Sequence, residues 1–393
     1  MIDYDPFDQE IIYGDPHRVY KRLREESPVH YLPRWDCWAL ARFEDVWDAC
    51  MDGEAYTAAR GTSTAHLLTK VQPVTPTLNT MDAPDHTRLR AELRKFFAPG
   101  RIRKLVPAFE GFVDEAIAEF DEAGACDAVA DFAQVVATRV GCEVAGFPPE
   151  DAPHMRSLVE MFFDRDPEVE GMTEKGIEGL NGMFEYFAQL SAKRRTQPKR
   201  YDPIGILHEF EVGGAKLDDA DIASHLFLLL VGGTDTFPKV FANLLMRLHQ
   251  NPDIRAEVAA QPDLGLAAFN EAVRVDMPTQ MMCRVLLKDH EVRGQQMREG
   301  QTVMFLYASA NRDDREFDDP ERYDIHRTPP RTLSFSHGTH ACIGLHVARL
   351  EGQIALRKLL ERYPDYEIET DGLERYATEF VQGYARMPTV WRT

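Results

Sequence analysis

From Asp218 to Gln250 the chain runs for thirty-odd residues with an almost wholly apolar middle, Leu226 to Val231. A helix with so little polar surface belongs inside a molecule, so the spacing predicts a core-crossing helix, capped by Asp218, with other elements packed around it. Within the same stretch Gly232, Gly233 and Pro238 oppose helix formation, by about 1 kcal/mol for each glycine and about 3 kcal/mol for the proline. Two reasons stay open for such a cluster. A tight helix crossing needs small residues, and so does a ligand lying against bare backbone, with a local distortion that frees a carbonyl.

The rest of the chain supplies the surroundings. Apolar residues recur at three-to-four spacing over Pro16 to Glu26, Phe43 to Met51, Pro84 to Phe97, Pro107 to Ala123, Phe132 to Val144 and Gly176 to Lys193, which predicts helices. Short alternating or β-branched runs at Val29 to Leu32, Trp38 to Ala41, Met281 to Leu287 and Gln301 to Tyr307 read as strands. The expected class is therefore mainly α with a small β region, an α+β fold. No repeat, low-complexity tract or linker interrupts the 393 residues, and 44% hydrophobic content suffices for a sizeable core. A single continuous domain over 1–393 is expected.

Charge and cysteine content narrow the function classes. The formal net charge of −20 repels polyphosphate surfaces and argues against nucleic acid as a general partner. Six cysteines, sparse and without paired spacing, do not describe a disulfide scaffold and fit a reducing, cytoplasmic setting. The first ten residues carry Asp3, Asp5, Asp8 and Glu10, the wrong composition for a leader or membrane anchor. The longest purely apolar run is six residues, far short of the roughly 20 that span a bilayer.

The most informative stretch is Phe335-x-x-Gly338-x-His340-x-Cys342-x-Gly344-x-x-x-Ala348-Arg349, a glycine-punctuated loop leading into a helical run to about Arg362. A cysteine just before a helix has its sulfur near unpaired N–H groups and the positive dipole end, both of which favour thiolate, the form that metals bind. Glycines at 338 and 344 let a flat ligand approach closely. Zinc is the alternative, since His337, His340, Cys342 and His346 lie within ten residues, but no second Cys/His pair at zinc-like spacing occurs.

This cysteine loop resembles the haem-binding signature of the cytochrome P450 family, in which a cysteine thiolate ligates haem iron. Further family motifs recur in order between residues 80 and 350. The resemblance implies the P450 fold, with its long central helix crossing over a haem b, and Cys342 as axial iron ligand beside Phe335 and Gly344. Glu271-x-x-Arg274 and Pro320-Glu321-Arg322-Tyr323 look like the segments whose glutamate and two arginines, Glu271, Arg274 and Arg322, lock together. His86-x-x-x-Arg90 matches a propionate-binding helix, which four-residue spacing puts on one face, and Arg284 and His340 match the remaining propionate positions. Gly232-Gly233-Thr234-Asp235-Thr236 resembles the oxygen-binding segment, where glycines admit haem and dioxygen and Asp235 and Thr236 relay protons. A phosphate loop is excluded because no lysine follows the glycines at the required position. Two departures stand out: Ser336 replaces a common glycine, implying a local change of backbone, and Phe237-Pro238 replace a hydroxyl residue in a straight helix.

The family resemblance implies a monooxygenase that inserts one atom of O2 into a small hydrophobic substrate. The alternative is a haem-thiolate protein that senses a ligand or rearranges a substrate without a reductase. Only 51 residues follow Cys342, too few for a fused flavin or iron–sulfur module, so electrons are expected from NAD(P)H through a separate ferredoxin reductase and ferredoxin. Arg88 to Lys104 holds seven basic residues against Glu92, and Arg101, Arg103 and Lys104 are the candidate ferredoxin-docking patch. By family position, the substrate pocket is expected along Gly61 to Leu78, Met161 to Phe163, Leu229 to Gly233, Thr279 to Met282 and Phe380 to Val381. Its nominated members are Met161, Phe162, Leu229, Thr279, Met281 and Phe380.

Overall fold

The computed structural model describes residues 2–68, 76–164, 166 and 172–392. The helices that matter here, in chain order, are α1 (Pro16–Glu26), α2 (Phe43–Met51), α3 (Asp85–Leu93), α4 (Val106–Ala118), α5 (Gln134–Ala145), α6 (Ala152–Phe162), α7 (Glu174–Arg195), α8 (Asp219–Thr234), α9 (Thr236–Gln250), α10 (Gly265–Val275) and α11 (Leu345–Arg362). The strands are β1 (Val29–Leu32), β2 (Cys37–Leu40), β3 (Tyr56–Thr57), β4 (Met282–Leu286), β5 (Thr302–Phe305), β6 (Glu374–Ala377) and β7 (Gln382–Arg386). Among the described residues no helix is long and apolar enough to cross a membrane.

The helix starts have visible chemical causes. Asp15 caps α1 by accepting from His17 N–H, with Pro16 in the first turn. Asp218 accepts from the Ala220 and Asp221 N–H groups while the Asp221 carboxylate takes the Asp218 N–H, a reciprocal cap that fixes where α8 begins. The predicted single helix over Asp218 to Gln250 is in fact two, α8 and α9, parted at Asp235. Pro238 is the reason: it cannot donate to the Thr234 carbonyl, so the regular ladder fails one turn upstream. The Phe132 to Val144 helix is preceded by a π-helical turn, Ala128–Ala133, held by Asp127 on the Val129 and Ala130 N–H groups.

Three apolar clusters form the core. One joins α4, α5, α9, α10 and α11 around Phe132, Phe241, Phe269 and Trp391. Its tightest crossing is at Gly352, where a Cβ would lie 2.3 Å from the Phe269 ring, so α10 and α11 approach as only glycine permits. A second lies beneath the five-stranded sheet β1-β2-β5-β4-β3. The third packs α5, α6, α7 and α8 together with Leu89 and Leu93 of α3. In the sheet β5 runs parallel to β2, Thr302 opposite Cys37, and antiparallel to β4, Val303 opposite Arg284. The sheet thus draws on both ends of the chain; four of its strands lie within a residue or two of their predicted bounds, and the fifth, the two-residue β3, had no predicted counterpart.

Candidate functional site

The loop before α11 is shaped by two left-handed residues. Ser336 has φ 60° and Gly338 φ 72°, and a Cβ on Gly338 would fall 2.3 Å from the Cys50 carbonyl oxygen. The backbone at Ser336 therefore adopts the conformation a glycine prefers, against the expected local change. Its hydroxyl donates to Tyr307 Oη at 2.9 Å, which offsets part of the cost of holding a side chain in this region. The loop closes when Cys342 N–H donates to the Phe335 carbonyl at 2.8 Å, and Arg349 lies 5.4 Å over the Phe335 ring.

This closure sets the Cys342 sulfur at the start of α11, where the Gly344 and Leu345 N–H groups and the Arg90 charge favour the thiolate. The surrounding protein outweighs them. Although the residue retains exposed surface, burial of the sulfur pushes the thiol above its ordinary value, so the helix start alone does not make a thiolate here. A cation at the sulfur is what would favour the ionised form.

Four nitrogen-bearing groups converge beside it. His86 and His340 stack at 4.1 Å, Arg90 donates to the Ala341 carbonyl, and Arg284 donates to the Cys283 carbonyl at 2.7 Å. Burial and the neighbouring Arg90 charge pull His86 down to about 4, and burial with Arg284, His86 and Arg90 pulls His340 down to about 3. Among the described residues neither Arg90 nor Arg284 has a carboxylate partner, and the buried His86 Nε2 has no hydrogen-bond partner at all. Uncompensated positive charge around an orphaned donor is an anion site. On α8, Gly232 and Gly233 are exposed, and a Cβ on either would meet nothing within 4 Å. Thiol, cationic cradle and bare helix backbone together suit a flat, dianionic, iron-bearing macrocycle, so the residues present fit haem. The zinc alternative finds no support, for among the described residues no three His, Cys, Asp or Glu side chains gather as a metal cluster.

Asp235 and Thr236 stand at the α8–α9 junction. The Thr236 hydroxyl donates to the Gly232 carbonyl at 2.8 Å. Asp235 is buried and paired with Lys239, whose ammonium also donates to the Asp235 carbonyl at 3.0 Å and lies 4.0 Å from the Tyr376 ring and 5.4 Å from that of Phe163. Lys239 did not enter the sequence reading. Its signal was available, a lysine four residues after an aspartate in an otherwise apolar run.

Two expectations need correction. Arg274 is bidentate on Glu271 at 2.7 and 2.8 Å and donates to the Asn311, Pro320 and Arg322 carbonyls. The second arginine on Glu271 is Arg327, at 3.1 Å, while Arg322 offers only its carbonyl. Arg322 is exposed, whereas the turn closed by the Arg327 N–H on the Asp324 carbonyl at 3.1 Å brings Arg327 back beside Glu271, with Tyr323 and Ile325 buried between them. Met281 is likewise fully buried in the cluster under the sheet. Met282, two residues from Arg284 and on its strand face, is the partly exposed one.

The other nominated pocket residues are half-buried. Phe162 meets Phe163 and Phe227 edge-on, at 4.7 and 5.3 Å, and Phe227 stacks on Phe184. Met161 belongs to the tight α6–α7 crossing, 2.7 Å from where a Cβ on Gly179 would be. Leu229 shares the α8 face of Gly232, and Thr279 bridges to Val381, next to Phe380. Of the 61–78 segment, residues 69–75 lie outside the described residues. The basic island is smaller than its composition: Arg88 pairs with Asp85, Lys95 with Glu92, and Arg90 turns inward. Arg94, Arg101, Arg103 and Lys104 are exposed and, among the described residues, without ion-pair partners. The turns carrying Arg101 to Lys104 run into α4 and touch α11, the helix that follows Cys342.

Known proteins resemble this chain in sequence and in fold. A family model described as Cytochrome P450 matches residues 265–377. The putative cytochrome P450 123 of Mycobacterium tuberculosis is 31% identical over 387 residues, 98% of this chain and 96% of that protein. The cytochrome P450 PksS of the Bacillus subtilis bacillaene polyketide synthase superposes with a TM-score of 0.86 at 29% identity, covering 100% of both chains. P450BioI, solved with an acyl carrier protein ligated by hexadec-9Z-enoic acid, superposes with a TM-score of 0.84 at 28% identity, covering 96% of this chain and 99% of that one.

Proposed function

The chain belongs to the cytochrome P450 family of haem monooxygenases, and from that premise we propose that Cys342 is the thiolate ligand of a haem b held at its propionates by His86, Arg90, Arg284 and His340. The observation that carries this reading is the meeting of Cys342, hydrogen-bonded by Gly344 and Leu345, with four nitrogen groups that lack a carboxylate partner among the described residues. When bound, the haem supplies the iron at which O2 is activated for insertion of one oxygen atom into substrate, with two electrons and two protons.

The chain's own residues do the rest. Gly232 and Gly233 leave room on α8 for a planar group and a small gas, and Phe335 and Gly344 line the cysteine side. Asp235 and Thr236 move the protons, Thr236 by turning its hydroxyl away from the Gly232 carbonyl. Lys239 is a positioning residue that holds the Asp235 carboxylate at the helix junction. Thr236→Ala is expected to lower product formed per reductant consumed by about tenfold or more, with peroxide released instead. Unaltered coupling would show that the relay runs elsewhere.

The substrate is a small hydrophobic molecule set among Met161, Phe162, Leu229, Thr279, Met282 and Phe380. Acyl chains belong to that class, and P450BioI was solved with one delivered by a carrier protein. Electrons come from NAD(P)H through a ferredoxin reductase and an acidic ferredoxin docked on Arg101, Arg103 and Lys104, all within the cytoplasm. Product formation that requires NAD(P)H, reductase and ferredoxin tests the reading directly; turnover without them would favour a reductase-independent catalyst. Changing the three basic residues to glutamine should raise the apparent ferredoxin KM by about tenfold at low salt, with the difference shrinking as salt screens it. An unchanged KM at low salt removes the docking patch.

A further inference from the structure

We propose that a second, polar cavity beside the β6–β7 hairpin binds a small oxyanion that also carries a hydrogen-bond donor, the chemistry shared by protonated phosphate and hydroxy-carboxylates. The cavity, about 300 Å³, lies where the start of α1, α9, the segment after α10 and the hairpin meet. It is separate from the cysteine site and shares no residue with it.

Three guanidinium groups line this cavity, from Arg247, Arg312 and Arg375. Arg247 is bidentate on Asp276 at 2.6 and 2.7 Å, and Arg312 shares the same carboxylate at 3.0 Å while also pairing with Glu321. Arg375 is exposed and, among the described residues, has no ion-pair partner, only the Tyr384 ring at 5.8 Å. The other carboxylate on the lining, Asp15, caps α1 through the His17 N–H and faces Arg18 at 3.7 Å. Arg247 and Arg312 are thus answered by Asp276 and Glu321, and Asp15 by Arg18, so the cation left over is Arg375, on a side chain free to close on an anion.

The neutral donors and acceptors say more about the occupant. His17, in the first turn of α1, has a shielded Nδ1 with no partner among the described residues. Burial and the charges of Arg312, Arg24, Arg247 and Arg375 hold its ring well below the usual imidazole range, so it stays neutral there. Gln280 is 2% exposed, and its amide nitrogen donates to the Met277 and Pro278 carbonyls at 2.9 and 3.2 Å. Those two acceptors fix which way the amide points, and its Oε1 is left buried with no donor among the described residues. An anion without a hydroxyl answers the arginine and leaves Gln280 as it is; one with a hydroxyl can answer both. The walls are tied together by Gln280 N–H to the Phe380 carbonyl at 2.8 Å and Gln382 N–H to the Pro278 carbonyl at 2.9 Å. An occupant therefore cross-links α1, α9 and the hairpin.

The test is calorimetric titration of the haem-loaded protein with inorganic phosphate, malate and succinate at neutral pH and constant ionic strength. Phosphate and malate should bind saturably, and succinate, which is malate without its hydroxyl, about fivefold more weakly than malate. Arg375→Ala removes an exposed side chain with no ion pair, so the fold is retained, and it should weaken both ligands by about tenfold. Hydrogen exchange over residues 374–386 should slow on adding phosphate to the wild type and not in the variant. No saturable heat from either phosphate or malate up to roughly 50 mM, or equal affinities in wild type and Arg375→Ala, overturns the site. Equal affinity for malate and succinate overturns the donor requirement.

Discussion

Arg274→Ala lowers the free energy of unfolding by about 3–5 kcal/mol, because it strips a buried carboxylate of its bidentate partner and leaves the Asn311 and Pro320 carbonyls without that donor. Arg274 is only 1% exposed, so water cannot take over those bonds. Arg327→Ala costs less, about 1–3 kcal/mol, since Glu271 keeps Arg274 and the Asp324 N–H. Arg322→Ala stays within about 0.5 kcal/mol, as befits a side chain that points outward. Urea unfolding of the three variants checks the order. If Arg322→Ala proved as costly as Arg327→Ala, the assignment of the second arginine would return to position 322.

Cys342→Ala abolishes the thiolate-type absorbance band of the reduced, carbon monoxide-treated protein and reduces oxygenated product to background. The cationic cradle survives the substitution, so pigment is still bound, but without the sulfur that donates electron density to iron. Cys142→Ala is the control, a fully buried cysteine of α5 whose loss should leave the spectrum unchanged. A wild-type protein that is colourless when properly assembled, or one whose spectrum shows nitrogen ligation alone, would sink both this prediction and the function it serves.

The parts of the site that could be read from sequence were those fixed by local geometry. The cysteine sits at a helix start because glycines shape the loop before it, and His86 and Arg90 share a face because a helix turns every 3.6 residues. What escaped was set by partners far away in the chain. Arg322 and Arg327 are separated by a turn, closed by the Arg327 N–H on the Asp324 carbonyl, that returns only the later arginine to Glu271. Met281 and Met282 are distinguished by which side of β4 faces the sheet's core cluster. The break at Asp235 was announced by Pro238, yet the apolar run on either side argued for continuity. For Lys239 the spacing after Asp235 was legible, but the aromatic neighbours that enclose its ammonium, Tyr376 and Phe163, come from distant segments.

The central sheet has a further consequence for how the molecule is made. β2 finds its parallel neighbour β5 only after some 260 more residues have been synthesised, which at ribosomal speed takes on the order of tens of seconds. For that interval the β1–β2 hairpin presents an unpaired edge to whatever else is in the cell. Holding factors that shield nascent strands should therefore raise the yield of native protein more than any change at the cysteine loop, which emerges only after β5.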